Sequence, residues 1–140
     1  LDTNLSATGD GLPNWWKQKY GFDPLSSLGD NGPNADPDQD GMSNMAEFIA
    51  GSNPTSGNSV LRITGIKRVG DDIQVNWNGY GPRTNQLQAT TGSSLSATND
   101  FTDIGLPFGL AATRLYRLSG SDIGAATNKS ARFYRIRVVQ

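Results

Sequence analysis

Residues 36–47 read Asp-Pro-Asp-Gln-Asp-Gly-Met-Ser-Asn-Met-Ala-Glu. Numbered as a twelve-position loop, they place Asp36, Asp38 and Asp40 at positions 1, 3 and 5, and Gly41 at the sharp turn of position 6. Met42 then falls at position 7, Asn44 at 9 and Glu47 at 12. Calcium takes about six to eight hard oxygen ligands at roughly 2.3–2.6 Å, and alternating aspartates around a turn converge such oxygens on one point. Position 7 offers a backbone carbonyl and position 12 a bidentate carboxylate. Glu47 is the only glutamate in the chain, and it stands at the last ligand position. Four carboxylates gathered this closely repel one another unless a cation lies among them. Asp36, Asp38, Asp40, Met42, Asn44 and Glu47 are therefore expected to bind calcium. A solvated acidic turn before a capped helix would need neither the alternation nor both downstream ligands.

Other chemistry is excluded more simply. The 140 residues contain no Cys and no His. Disulfides, thiolate metal sites, cysteine nucleophiles and a Ser-His-Asp triad are all ruled out. Two carboxylates suffice for glycoside hydrolysis. Outside the acidic segment the aspartates are Asp71, Asp72, Asp100, Asp103 and Asp122, all in or near expected turns, so no enzyme is expected. Gly-Ser-Ser at 92–94 and Gly-Ser-Asp at 120–122 read as turns rather than nucleophile elbows. Trp16 and Trp77 lie on apolar-periodic faces and are expected in cores. Trp15 and Tyr80 are candidates for stacking on sugar rings, or for packing at a seam between domains. Arg135 and Arg137, with Phe133, form a polar row that can serve an anionic glycan or a partner, or simply a solvated edge. No nucleic-acid recognition motif is present, and no apolar run is long enough to span a membrane. The chain opens on Leu with no basic segment and apolar core after it. A processed product or a piece of something larger is expected.

Charge divides the chain. Residues 1–58 carry seven Asp, one Glu and two Lys, a net of −6, whereas residues 59–140 carry five Asp against ten Lys and Arg, a net of +5. The acidic part reads as loops around two short helices. The first spans Pro13–Tyr20, with Pro13 at its first position and Gly21 as a left-handed stop. The second spans Asn44–Ala50, with Asn44 and Glu47 at capping-box spacing and Gly51 as its stop. Trp16 and Tyr20 share a helix face, as do Met45 and Ile49 with Phe48 beside them. These faces are expected to pack on each other or on the following domain. Helices this short do not stand alone in water, so something else must hold the segment.

From about Val60 the apolar period changes to two. Leu61 and Ile63 alternate with Arg62 and Thr64. Ile73, Val75 and Trp77 face one way, as do Tyr134, Ile136 and Val138. Further strands are expected at 84–90, 101–104 and 113–118, with a hairpin turn at 70–72 and breaks at 79–82 and 92–96. The expected fold is mainly β: a loop-rich calcium-binding segment with two short helices (1–57), then a small antiparallel immunoglobulin- or fibronectin-like sandwich (58–140). Residues 53–59 read as the linker.

Aligning Gly11 with Gly41 places Ser6, Thr8 and Asp10 at positions 1, 3 and 5 of an earlier loop, Asn14 at 9 and Lys17 at 12. A lysine does not ligate calcium, and only Asp10 of the set is acidic, so a weak or metal-free loop is expected. Lys17 can instead neutralise Asp10. Alternatively, Asp2, Asn4, Asp23 or Asp30 complete a differently arranged second metal site with Asp10.

Asn31-Gly32-Pro33-Asn34-Ala35 cannot form the entering helix of an EF-hand. Residues 1–57, with Gly-Asp-Gly-Leu-Pro-Asn-Trp-Trp at 9–16 and Gly-Ser-Asn-Pro at 51–54, resemble instead the thrombospondin type 3-like, dockerin-like aspartate-rich repeats of secreted bacterial proteins. The second half is similar to small sandwich modules that end large exported proteins, although position 85 is Asn where those usually show Tyr. The resemblance implies a secreted or cell-surface accessory module stabilised by calcium. Two alternatives stand beside it: a carbohydrate-binding module of a polysaccharide-degrading enzyme, and a self-associating subunit of a surface layer, adhesin or filament. The implied partners are polysaccharide or neighbouring domains of a parent protein.

Overall fold

The computed structural model describes residues 2–90, 101–111, 114–127 and 132–139. The chain divides into two compact units, Leu1–Val60 and Leu61–Gln140. The described residues are mainly β, with two antiparallel sheets and only two short α-helices. No helix among them is long and apolar enough to cross a membrane.

The first unit is built on α1 (Asn14–Lys19), a single 3-10 turn at Gly29–Asn31 and α2 (Asn44–Ala50). Pro13 is not the first helical residue but the extended one before it, at φ −64° and ψ 146°. Gly21 and Gly51 follow the helices with φ of 79° and 80°, the left-handed conformation that glycine adopts without steric cost. The capping box expected at α2 is replaced by a cap one residue earlier. Ser43 is the N-cap and its Oγ accepts the Ala46 N–H at 3.3 Å. That releases Asn44 and Glu47 for other contacts. The two helices meet through Trp16, whose ring lies 6.0 Å from that of Phe48, 5.2 Å from Tyr20 and 5.7 Å from Phe22. Among the described residues, Trp16 is the largest buried apolar side chain of this loop-rich unit. Residues 53–59, expected as a linker, close the unit instead. Pro54 is fully buried, and Ser59 Oγ accepts the Asn53 N–H at 2.8 Å.

The second unit holds β1 (Arg62–Val69), β2 (Asp72–Tyr80), β3 (Arg83–Thr90), β4 (Phe101–Asp103), β5 (Phe108–Leu110), β6 (Leu115–Asp122) and β7 (Tyr134–Val139). One sheet runs β1-β2-β6. In the other, β3 pairs with β4 through 88–90, with β5 through 83–85 and with β7 through 84–89. The overlap puts β4 and β5 in succession along one edge of β3 and β7 along the other. Val75 and Trp77 of β2 and Leu87 of β3 form the shared core, with Ile63, Phe108, Leu118 and Ile136 packed around them. Strand β5 has too few residues to show a period, and it was not expected. It brings Phe108 edge-on to Trp77 at 5.2 Å.

Two expected turns are strand. β2 runs through Gly79 and Tyr80, leaving only Gly81–Pro82 as the break, and Gly120–Asp122 belong to β6. Both glycines are required by close approach rather than by turning. A Cβ on Gly79 would collide with Asn85 Oδ1, and one on Gly120 would lie 2.9 Å from Leu87 Cδ2. Asn85 Oδ1 receives the Trp77 indole N–H at 3.3 Å. Gly79→Ala is therefore expected to cost about 1–3 kcal/mol, because the core has no room to yield. Urea unfolding of the variant checks this. Asp122, expected near a turn, is 6% exposed; its Oδ2 pairs with Arg132 Nε at 3.0 Å and accepts the Tyr134 hydroxyl at 3.1 Å. Burial and that hydrogen bond push the Tyr134 hydroxyl up to about 12. The expected break at 92–96, the Gly-Ser-Ser stretch, Asp100 and Thr113 lie outside the described residues.

Candidate metal centre

The 36–47 loop is shaped by its own aspartates. Asp36 Oδ1 accepts the Asp40 N–H at 3.2 Å and its Oδ2 the Gly41 N–H at 3.0 Å; Asp40 Oδ1 accepts the Met42 N–H at 2.8 Å. Short side chains that bond the backbone two to five residues on turn the chain without a helix. Gln39 and Gly41 take φ of 59° and 93°, closing the loop on itself. One carboxylate oxygen from each of Asp36, Asp38 and Asp40 comes within 4.8 Å of the others.

Helix α2 delivers the last two side chains. Asn44 is fully buried, and its Nδ2 donates to the carbonyls of Asp30 at 2.7 Å and Gly32 at 2.8 Å. It is a staple between the helix and the chain entering the loop. Glu47 is also fully buried, and its Oε1 accepts the Ser52 hydroxyl at 3.1 Å. Among the described residues, Glu47 Oε2, Asn44 Oδ1 and Asp38 Oδ2 are buried acceptors that receive no hydrogen bond. Asp40 Oδ2 is shut away from solvent in the same way. A buried oxygen without a donor costs on the order of 1–3 kcal/mol, more for a charge. Burial pushes the Glu47 carboxyl up to about 8 against the opposing Ser52 hydroxyl, and Asp38, Asp40 and Asp36 add to the rise. A cation among these oxygens would offset the cost. The all-oxygen donor set fits a hard cation, and Asp36, Asp38 and Asp40 are placed so that they could hold one. Gly57 seals the loop from outside, since a Cβ there would lie 3.3 Å from the Asp38 carbonyl. The half-buried Met42 falls in the turn between the aspartates and α2.

The residues considered for a second ion do not gather. Asp2, Asn4, Asp23 and Asp30 are exposed. The Asp2 carboxylate accepts the Asn4 N–H at 3.0 Å, and that of Asp23 the Leu25 N–H at 2.9 Å. Asp10 is held elsewhere. Its Oδ2 lies 2.6 Å from the Nζ of Lys17, which is completely buried. Burial alone would raise the Asp10 carboxyl. The Lys17 ammonium, the Leu12 N–H and the Thr8 and Ser6 hydroxyls outweigh it and hold the group at about 2, against an ordinary 3.8.

A folded-state value below the unfolded one stabilises the protein fully above about pH 4 and loses that effect as pH falls through 2. The contribution is on the order of 2 kcal/mol. The stability gap between the parent and Asp10→Asn is thus expected to narrow between pH 5 and pH 2 in urea titrations.

The remaining candidates differ in exposure and partners. Trp15 is 39% exposed, with its ring edge-on to Phe48 at 6.2 Å, and Tyr80 is 8% exposed in β2. Arg135 donates to Gln88 Oε1 at 2.8 Å and covers the Phe101 ring at 4.1 Å, whereas Arg137 is exposed opposite Gln86. Ser52, the hydrogen-bond partner of Glu47, was not anticipated. Its only sequence signal is its place just after the helix stop. No family model matches the chain, and no curated protein or solved structure matches it.

Proposed function

We propose that residues 36–47 bind one calcium ion, and that the chain is a calcium-stabilised extracellular accessory module of a larger secreted protein. Its second unit is then a sandwich of the immunoglobulin or fibronectin type. The observation that carries this is the buried, donorless Glu47 Oε2, whose carboxyl is raised further by the charges of the three convergent aspartates. An oxygen-only set with a backbone carbonyl at position 7 suits calcium. Magnesium demands near-ideal octahedral geometry and gives up water reluctantly, and zinc prefers nitrogen and sulfur. The ion supplies the charge that offsets carboxylate repulsion in a loop-rich unit. Asp36, Asp38, Asp40 and Glu47 orient toward it, Asn44 fixes the loop entrance, and Ser52 holds one Glu47 oxygen in place. Calcium at roughly millimolar levels outside cells saturates sites of this kind.

Carbohydrate binding through Trp15 and Tyr80 has less support, because Tyr80 is buried. Isothermal titration with calcium tests the proposal. One site is expected, with the heat abolished by Glu47→Gln and by Asp36→Asn. No heat of uptake in the parent overturns it.

A further inference from the structure

The first unit contains one design twice, thirty positions apart. Asn14 N donates to Leu5 O and Asn44 N to Ala35 O, both at 2.8 Å; Trp15 N donates to Thr3 O and Met45 N to Pro33 O, both at 2.9 Å. Asn14 Nδ2 reaches Asp2 O at 2.7 Å as Asn44 Nδ2 reaches Gly32 O at 2.8 Å. Leu12 N binds Asp10 Oδ1 at 3.0 Å as Met42 N binds Asp40 Oδ1 at 2.8 Å. Asp10 N binds Ser6 Oγ at 3.1 Å as Asp40 N binds Asp36 Oδ1 at 3.2 Å. Positive φ recurs at Gly9 and Gln39, at Gly11 and Gly41, and at Gly21 and Gly51. The backbone of the 6–17 loop is therefore that of the 36–47 loop.

Their interiors differ. Where the second loop has Glu47, the first has Lys17, whose Nζ donates to Asp10 Oδ2 at 2.6 Å, Ser26 O at 2.7 Å and Thr8 Oγ1 at 3.3 Å. Thr8 and Asp10 are the counterparts of Asp38 and Asp40. The ammonium thus spends its three protons on the oxygens at positions 3 and 5 and on one carbonyl. Asn14 Oδ1 accepts the Ala7 N–H at 2.9 Å. The counterpart of Ala7 is Pro37, which has no N–H, and Asn44 Oδ1 receives no hydrogen bond among the described residues. One loop is internally complete, and the other has acceptors left over.

We infer that the Lys17 ammonium is the resident cation of the first loop, a covalently tethered substitute for the divalent ion of the second. The loop is then a blocked metal site that stays ordered without metal. The unit has one half that is permanently closed and one half that closes only when calcium is present. This rests on the calcium assignment of the 36–47 loop, so the test separates the two.

Hydrogen exchange of the full chain, with calcium and with EDTA, is expected to change by at least about tenfold over 36–47 and by less than about twofold over 6–17. Loss of protection in both loops on chelation overturns the inference while sustaining the calcium site. Absence of any calcium effect or heat overturns the calcium site, and Lys17 is then judged on its own variant. Lys17→Met is expected to lose protection over 6–17 whether or not calcium is present; retained protection overturns the inference. Ser6→Asp/Thr8→Asp/Lys17→Glu, which copies the second loop's ligands into the first, is expected to take up two calcium ions by titration calorimetry where the parent takes one. A folded triple variant that still binds one ion overturns the equivalence of the loops.

Discussion

Stripping the protein of divalent metal is expected to lower its melting temperature and to loosen residues 30–50 selectively. An ion present at about 100 times its dissociation constant stabilises the folded state by about 2.7 kcal/mol. In a unit of this size that corresponds to roughly 10–20 °C. The effect is concentrated because, among the described residues, Asp38 Oδ2 and Glu47 Oε2 are buried acceptors that no hydrogen bond satisfies. Its aspartates turn the backbone, but Glu47 brings a fourth carboxyl into a buried place where their charges act on it. Glu47→Gln is the informative variant, since it keeps the volume and removes the charge. In calcium it is expected to be less stable than the parent, through loss of the ion. In EDTA it is expected to be more stable, chiefly because no carboxyl is then buried without its ion, and secondly through relief of the repulsion. This reversal of sign distinguishes a metal ligand from a merely buried polar residue, for which both signs would agree. Asp40→Ala is expected to abolish the calcium-dependent part of the melt. A melt and a proteolysis pattern unchanged by chelator would count against the whole account.

The second large effect belongs to Lys17. Lys17→Met is expected to cost about 3–5 kcal/mol, the usual result of leaving a buried charge without its partner. Asp10 would keep its hydroxyl and Leu12 N–H contacts but lose the ammonium that does most to hold its carboxyl near 2. With so little apolar mass in the unit, a loss of this size unfolds much of it at ambient temperature. The double variant Asp10→Asn/Lys17→Met is expected to recover most of the loss, because replacing both members of a buried pair is far cheaper than removing one. Chemical denaturation of the two single variants and the double, each in calcium and in EDTA, measures the coupling. Equal losses in Lys17→Met and the double variant would show that the pair is not the source of the stability.

Local chemistry carried a large share of both units. The bounds of α2, its glycine stop, the absence of an entering helix and the strand alternation at Ile73, Val75 and Trp77 all follow from short-range preferences that neighbours in sequence express by themselves. The convergence of Asp36, Asp38 and Asp40 belongs with them, because a turn six residues long closes on its own side chains. The capping role expected of Asn44 falls to Ser43 for the complementary reason. A capping role depends on residues three positions away, whereas the actual partners of Asn44 are carbonyls at 30 and 32, on a segment that returns past the helix. Gly79 and Gly120 looked like turn residues because a glycine required by a neighbouring strand has the same sequence signature as one required by a bend.

The order of residues by itself determined the acidic loop, the helix and strand periods, and the chemistries that a chain without Cys or His cannot perform. Only the tertiary structure decided that Ser52 holds Glu47, that Ser26 completes the shell of Lys17, and that two loops of different composition share one backbone. Spacing along a chain encodes contacts over one or two turns. Contacts between returning segments depend on the packing of the whole unit, and that is set by the sum of its burial and hydrogen bonding rather than by any single motif.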